Sequence, residues 1–528
     1  MRITTGYEVL KENITAAKLV ADLFSSSFGP AGMAKLLLMD NGDFKVTRDA
    51  EIISSEVAFV HPVAKLLMEA GTTCRKEGGD GFITTVVLAA LLVERGWRLA
   101  NNGIHPALTA TGYQLALKEA LKIIDIESSH IDFHDYSTLK KIAKNHLATK
   151  LPLSWAEHLA PIVVSALIGV SESVNGYTKF DLDMIKVDGR RGASVEDSEL
   201  VDGVILHKKG VDRLMPKTIT DAKIAFIQEK LGIKRPDMFT KVVLSTPNKI
   251  KDFYSERLSY LRDFLDPLLR IGVNVVLCGG DIAEELRRPL ANCGILAVRN
   301  VALEDMKRLR MAVGGELVMR PWDLNSQSLG YCGRIDQRIV AAHDEWLFFK
   351  NCRNPHFKSI LVRGTGDFVV DEVKRAIINC LKLLQSLLKN GAVVAGGGFI
   401  EYKIAHMLRK LALSYPSKIQ QTVQVFADAL EELPLWLVRN TGGDPANVKG
   451  KLRSGIAANM LCSIDGYTGE VIKSSITEPA IVKIQCLKSA TETAVTILRI
   501  DHVFQQPPKP QEKKSPIPLP VRMVRGWK

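Results

Sequence analysis

The sequence has no cysteine pair of the C-x-x-C type and no histidine and cysteine spacing suited to a structural zinc ion. Its eight cysteines are scattered along the chain, which favours free thiols in a reducing compartment. No apolar run approaches the roughly 20 residues of a membrane-spanning helix, and the stretch Met1–Gly6 has no apolar signal core. We therefore expect a cytoplasmic protein that is neither secreted nor inserted into a membrane.

Positive charge is concentrated in one short segment. Residues 505–528 contain six basic residues, one acidic residue and six prolines, so they carry +5 of the net charge of +12. Such a segment cannot bury enough apolar surface to fold, and we expect a disordered, Pro-rich basic tail over 505–528. The remaining charge of +7 is distributed over about 500 residues, which favours a solvated surface over a nucleic-acid-binding groove.

Hydrophobic periodicity divides the 528 residues into two helical ends and a mixed middle. A chain of this length exceeds one ordinary core, so about three domains or subdomains are expected. Apolar residues at helical spacing predict long buried helices over the first 125 residues or so, and again after Gly398. Between them, apolar strands such as Val273–Cys278 alternate with helices. The sequence thus predicts a multidomain fold of α and α/β type, in which the two ends fold together around an inserted middle.

The glycine-rich stretch from Gly78 to Thr85 places a flexible backbone and a carboxylate directly before a predicted helix. Glycines let main-chain N–H groups approach a phosphate, and the N-terminal end of a helix favours an anion. Asp80, between Gly79 and Gly81, can hold Mg²⁺ through its carboxylate. Because Gly-Asp-Gly is also an ordinary turn, this stretch alone leaves a plain turn and a phosphate site as alternatives.

Five motifs together resemble those of the group II chaperonins, in the order that this family has them. The resemblance runs from about Gly6 to Phe504, and within the family it is closest to the alpha subunit of the eukaryotic cytosolic chaperonin at Glu478–Lys483 and Gly366–Phe368. The five motifs are Gly29–Met33, Thr47–Asp49, Gly79–Gly81, Val393–Gly398 and Lys488–Asp501.

This resemblance implies the chaperonin fold, with a helical equatorial domain, a small intermediate domain and an inserted α/β apical domain. A helical lid protrusion is expected over about residues 230–262. Met238 and Phe239 in it either contact partners and substrates or pack under their own helix. The implied boundaries are 1–126 and 392–504 for the equatorial nucleotide-binding domain, 127–205 and 350–391 for the intermediate domain, and 206–349 for the apical substrate-binding domain.

The resemblance also implies a site for ATP and Mg²⁺. Asp80 would be the ligand of Mg²⁺, and Glu478 would approach the ribose. Lys150 stands where the family has a lysine in a nucleotide-sensing loop, although an isolated lysine is also an ordinary solvated side chain. The other residues implied to bind the nucleotide are Gly29, Pro30, Gly32, Gly81, Thr84 and Gly397.

The sequence differs from the family pattern at positions that the resemblance implies for phosphate binding and ATP hydrolysis. Phe82 and Ile83 replace two of three threonines, so two hydroxyls are lost and two apolar groups are expected to enter the phosphate end. Ala50 replaces a glycine. Asn379 falls at the position of the water-activating aspartate and cannot accept a proton, which typically costs about 10²- to 10⁴-fold in rate. Asp49, the second carboxylate implied near the attacking water, remains without its partner.

Two functions of different classes remain open. The first is a subunit of a hetero-oligomeric double-ring chaperonin, with paralogous subunits as partners, unfolded cytosolic polypeptides as substrates, and ATP bound but poorly hydrolysed. The second is a degenerate chaperonin-like interaction or assembly factor that acts outside a complete ring, with Pro507–Pro520 either a docking segment or a passive tail. If Asn379 is an ordinary helix residue, weak hydrolysis by other means is the alternative reading. A phosphotransferase is disfavoured, because no G-x-x-x-x-G-K-[ST] motif is present.

Overall fold

The computed structural model describes residues 2–5, 7–38, 42, 44–132, 134–174, 177–232, 261–342, 344–415, 418–473 and 476–505. The helices in these residues are α1 (Tyr7–Ser25), α2 (Ala50–Glu56), α3 (Pro62–Gly78), α4 (Phe82–Asn101), α5 (Pro106–Glu127), α6 (Tyr136–Ala148), α7 (Leu153–Gly169), α8 (261–271), α9 (Glu284–Asn292), α10 (Leu303–Val313), α11 (Asp367–Asn390), α12 (Phe399–Ala412), α13 (Lys418–Glu432), α14 (Leu435–Asn440), α15 (Pro445–Ala457) and α16 (Ala480–Leu498). None of the described helices combines the length and the apolar character that crossing a lipid bilayer requires.

Within the described residues, the strands form six sheets, and one of them is large. It has nine strands, with eight in the order β11-β10-β9-β13-β14-β8-β15-β7 and β12 paired with β9. The strands are β1 (Arg2–Thr5), β2 (Lys35–Leu38), β3 (Phe44–Thr47), β4 (Ser129–His130), β5 (Ser171–Val174), β6 (Tyr177–Phe180), β7 (Ile185–Arg191), β8 (Glu199–Leu206), β9 (Thr218–Ile227), β10 (Val275–Cys278), β11 (Leu296–Val298), β12 (Leu317–Val318), β13 (Gly330–Ala341), β14 (Asp344–Cys352), β15 (Lys358–Gly364), β16 (Ala392–Ala395), β17 (Ser463–Ile464), β18 (Val471–Ile472), β19 (Thr477–Pro479) and β20 (His502–Gln505).

The largest core joins the two ends of the chain. Helices α1, α3, α4 and α5 pack with α12, α13 and α16, because the apolar residues of each helix recur on one face. In this core the Tyr113 and Phe426 rings meet nearly edge to face, with centroids 5.6 Å apart. Strands β1 and β20 pair antiparallel, with Arg2 opposite Gln505. Gln505, where the predicted tail begins, therefore belongs to a strand, and the rest of the tail lies outside the described residues.

A second core is built from the middle of the chain. Strands β9, β10 and β11 pair in parallel, with Ile224 opposite Val275 and Val275 opposite Leu296. Strands β10 and β11, and the last four residues of β9, are apolar and buried on both faces of the sheet. The expected combination of a helical part from both chain ends with an α/β part from the middle is confirmed. The domain boundaries stay predictions, and most of the predicted lid, including Met238 and Phe239, lies outside the described residues.

A third core connects the other two. Helices α6, α7 and α11 pack with β7 and β15, which form one end of the large sheet. Helix α11 also contacts α3 and β3, so it crosses from this core to the N-terminal segments. This contact brings Asn379 of α11 next to Asp49, which follows β3.

Candidate nucleotide site

A cavity of about 480 Å³ lies at the junction of the first and third cores. Its volume falls within the roughly 300 to 1,000 Å³ of small-molecule pockets. Two expected residues, Gly32 and Asn379, are not part of its lining. The expected site residues that do line it are Gly29, Pro30, Asp49, Asp80, Gly81, Thr84, Lys150, Gly397 and Glu478.

The loop after α1 approaches the cavity through its backbone. Gly29 has a φ of +78°, a left-handed conformation that favours glycine. Gly32 donates its N–H to the carbonyl of Gly29 over 3.1 Å, and a Cβ on Gly32 would lie 2.5 Å from the carbonyl oxygen of Ser27. Gly32 therefore shapes the loop from behind, which explains why it does not line the cavity.

The N-terminal end of α4 opens onto the same cavity. Gly81 has a φ of +97°, and no side chain caps the helix. The N–H groups of the first turn of an α-helix have no acceptor within the helix, so those of Phe82, Ile83 and Thr84 are available for an anion. A Cβ on Gly81 would lie 2.5 Å from the Cys486 sulfur, so this turn requires glycine both for its conformation and for space.

Phe82 borders the cavity, but its ring packs into the core. Its side chain is buried, its ring lies 5.6 Å from the ring of Phe24 between centroids, and a Cβ on Gly71 would lie 2.9 Å from it. Ile83 is half-buried and packs against the same core. The expectation of two bulky groups at the cavity therefore needs one revision: Phe82 borders the cavity, but α1 and α3 leave room for its ring in the core.

A buried lysine and two glutamates hold the loop after β16. The Gly397 N–H donates to Oε1 of Glu478 over 2.8 Å, and Lys483 Nζ lies 2.6 Å from both Oε2 of Glu478 and Oε1 of Glu401. Burial favours the neutral amine, but the two carboxylates outweigh it and hold the pKa of Lys483 above its usual value. Gly396 allows this approach, since a Cβ there would lie 2.1 Å from Oε1 of Glu478.

Asp49 is fully engaged by its neighbours. It caps α2 by accepting the N–H of Glu51 over 3.1 Å, and both of its carboxylate oxygens accept from the Arg75 guanidinium, over 2.5 and 3.0 Å. The Asn379 amide donates to Oδ2 over 3.1 Å. Burial by itself would raise the pKa of Asp49, but Arg75 and the charge of Lys150 outweigh it and hold the pKa well below its usual range. An ionised carboxylate with this set of donors is a weak base for an attacking water.

Asp80 faces the cavity beside a buried histidine. Nδ1 of His146 lies 2.7 Å from Oδ2 of Asp80, and Lys150 follows one turn after His146. Burial would raise the pKa of Asp80, but the charges of His146 and Lys150 outweigh it and hold the pKa well below its usual range. Burial lowers the pKa of His146. The carboxylate is thus ionised and suited to a divalent cation.

Sequence analysis missed two charged or polar residues of this site. Arg75 lies in the last turn of α3, directly before the glycine loop, and that position is the only signal for it in the sequence. His146 precedes Lys150 by four residues, so helical spacing places both on one side of the chain. Because Lys150 was already a candidate, the helical spacing would have indicated His146 as well.

Comparison with known proteins gives the family. Residues 20–508 match the TCP-1/cpn60 chaperonin family. The chain belongs to this chaperonin family. It is 37% identical over 526 residues, or 97% of this chain and 94% of the relative, to a thermosome subunit alpha of Saccharolobus solfataricus. It is 36% identical over 504 residues, or 94% of this chain and 92% of the relative, to a thermosome subunit of Methanocaldococcus jannaschii.

A third similar chaperonin is the thermosome subunit beta of Sulfurisphaera tokodaii, 36% identical over 515 residues, which are 97% of this chain and 93% of the relative. These relatives are archaeal thermosome subunits, which confirms the resemblance to group II chaperonins and the chaperonin fold. They do not single out a eukaryotic alpha subunit.

Proposed function

We propose that this chaperonin is a cytoplasmic subunit of a hetero-oligomeric double ring that assists the folding of polypeptides, and that it binds ATP with Mg²⁺ but hydrolyses ATP very slowly. The observation that carries the second part is the state of Asp49, whose carboxylate is shared between Arg75, Asn379 and the Glu51 N–H. No carboxylate stands at position 379 to take a proton from water. Binding and hydrolysis are therefore separable in this subunit.

The residues present fit an ATP molecule. The cavity volume, the uncapped N-terminal end of α4 and the glycine turns at Gly29 and Gly397 support a triphosphate at one end. Apolar side chains such as Leu437, Ile464 and Ile476 line the cavity as well and suit a base. Glu478, fixed by Lys483 and the Gly397 N–H, would accept a hydrogen bond from a ribose hydroxyl.

Asp80 would hold Mg²⁺, since its carboxylate is ionised and borders the cavity. Bound there, Mg²⁺ would neutralise phosphate charge. Lys150 lines the cavity on the same side, and its ammonium group would bind a phosphate oxygen directly. Around them, the residues of this chain supply binding and orientation, and Asp49, the carboxylate next to position 379, is already paired with Arg75.

Ring assembly is supported by an exposed apolar hairpin. Strands β2 and β3 pair antiparallel, and the side chains of Leu36, Leu38, Phe44 and Val46 are 44% to 79% exposed. An isolated two-stranded hairpin is marginally stable, and an exposed apolar face marks an interaction site. We assign the hairpin to contact with a neighbouring paralogous subunit.

Particle size tests the ring. The native protein from its own cells should elute as a particle many times heavier than the 58.2 kDa chain. Leu38→Asp should release the subunit, because a charge at a buried interface is costly, whereas Val60→Asp at an equally exposed position should not. A wild-type particle of monomer or dimer size would instead favour the second function, an assembly factor outside a ring.

Among paralogous subunits, we propose that this chain takes the place of an alpha-type subunit. Support comes from the Glu478–Lys483 and Gly366–Phe368 segments, which resemble those of the eukaryotic alpha subunit. A density map of the intact particle would give its ring position, and a second, alpha-type paralogue beside it would contradict the assignment.

A further inference from the structure

The carboxylate expected to hold the cation has a nitrogen ligand next to it. His146 lies in the last turn of α6, and Asp80 lies in the loop between α3 and α4, so two separate elements bring the two side chains together. His146 is 5% exposed, and both residues line the cavity. Their proximity therefore depends on how α6 packs against the loop between α3 and α4, and not on a local turn.

The two side chains of the pair lie at a spacing that suits two ligands of one ion. Nδ1 of His146 lies 2.7 Å from Oδ2 of Asp80, and Nε2 of the same ring has no hydrogen-bond partner among the described residues. Two ligands about 2.1 Å from one cation and at right angles to each other are about 3.0 Å apart, close to this separation.

A buried ring nitrogen without a hydrogen bond is costly, so the unpaired Nε2 of His146 at a cavity indicates a ligand. The C-terminal end of α6 adds a favourable field for a cation, since the helix dipole is negative there. From these observations we infer that Asp80 and His146 together bind a divalent first-row transition ion, such as Mn²⁺ or Co²⁺, in preference to Mg²⁺. Nitrogen ligands bind Co²⁺ more tightly than Mn²⁺, and both ions accept a nitrogen ligand more readily than Mg²⁺, which prefers oxygen.

Binding of this ion should require a bound nucleotide. Among the described residues, no group of three or more His, Cys, Asp or Glu side chains can hold a metal, so the chain supplies two ligands here. Lys150 and Arg75 also place positive charge next to the pair. Phosphate oxygens would complete the coordination and offset these charges, so the inference rests on the proposed nucleotide binding.

The test is pulsed electron paramagnetic resonance of the full chain with Mn²⁺ and ADP. We expect an electron spin-echo modulation from a directly bound nitrogen. Because adenine also contains nitrogen, the wild-type protein is compared with protein labelled with ¹⁵N-histidine, and the coupling should change from the ¹⁴N to the ¹⁵N pattern. This comparison requires no variant and is unaffected by folding defects.

Variants and their ADP affinities then show which histidine supplies the nitrogen ligand. His146→Asn should remove the histidine coupling, and His130→Asn, at an exposed position outside the cavity lining, should keep it. Replacing Mg²⁺ by Mn²⁺ or Co²⁺ should tighten ADP binding roughly tenfold in the wild type and not in His146→Asn.

The outcomes separate the two claims. ADP that binds with Mn²⁺ but gives no histidine coupling overturns the mixed site and leaves nucleotide binding intact. ADP affinities that are equal with Mg²⁺ and Mn²⁺, both in the wild type and in His146→Asn, would also overturn the mixed site and leave nucleotide binding intact. An absence of ADP binding with every ion overturns the proposed function, and the mixed site with it.

Discussion

The two ends of the cavity differ in how their charged groups are used. At the β16 end, Glu478 and Lys483 fix the backbone of Gly397 and border an open space. At the α2 end, Asp49 is already paired with Arg75 and Asn379. The first arrangement keeps a ligand-binding shape, and the second uses up the carboxylate that hydrolysis would need. Under the proposed function, the subunit would keep its nucleotide site as a binding element without the chemistry of hydrolysis.

The largest effect should come from restoring a carboxylate at the hydrolytic end. Asn379→Asp should raise ATP turnover by about 10²- to 10⁴-fold, since a base within reach of water contributes that much. Asn390→Asp, at the exposed end of the same helix, serves as the control and should leave turnover unchanged. Steady-state phosphate release measures both, and an equal rise in the two variants would contradict the role of position 379.

Breaking the Arg75 pair tests whether Asp49 depends on it. Arg75→Gln should lower the free energy of unfolding by about 3 to 5 kcal/mol, because it leaves a buried carboxylate without its cation. The double change with Asp49→Asn should recover most of this loss.

Arg98→Gln removes an exposed ion pair with Glu94 and should change the free energy of unfolding by less than about 0.5 kcal/mol. Urea unfolding measures all of these variants. Additive losses in the double variant would show that Arg75 and Asp49 act independently, against the contact described.

The revised position of Phe82 gives a third prediction. Phe82→Thr should destabilise the protein by about 3 kcal/mol, because the ring fills the core between Phe24 and Gly71. Ile83→Thr, at a half-buried position on the cavity, should have a small effect on stability and tighten ADP binding slightly through its added hydroxyl. Thermal unfolding and equilibrium dialysis would measure the two effects. If Phe82→Thr bound ADP more tightly and kept its stability, this would contradict the position of the ring in the core.

At the β16 end, a single methyl group should weaken binding. Gly396→Ala places a Cβ on Glu478 and should reduce ADP affinity about tenfold or more, since displaced hydrogen bonds to a charged group are worth about 1.5 to 3 kcal/mol. Gly450→Ala, inside α15 with open space around it, is the matched control and should leave affinity unchanged. Equal ADP affinity in both variants would mean that this end does not contact the nucleotide.

Periodicity and turn residues were enough to predict the helical ends, the α/β middle and the loops that reach the cavity. Glycines at positive φ and the helix start after Gly81 are visible in the sequence because only glycine suits those turns. Contacts over long sequence distances were not visible, which is why the pairing of Arg75 with Asp49 was missed. The position of the Phe82 ring could not be predicted from the sequence either, because the space beside Gly71 depends on how α1 and α3 pack.

The fate of bound ATP shows whether this chain binds the nucleotide without hydrolysing it. Purified chain is incubated with ATP and Mg²⁺, rapidly desalted, and the nucleotide that remains bound is identified by chromatography. We expect that the chain retains nucleotide and that nearly all of it is still ATP. Bound ADP in excess over ATP would contradict impaired hydrolysis, and a chain that retains no nucleotide would contradict binding.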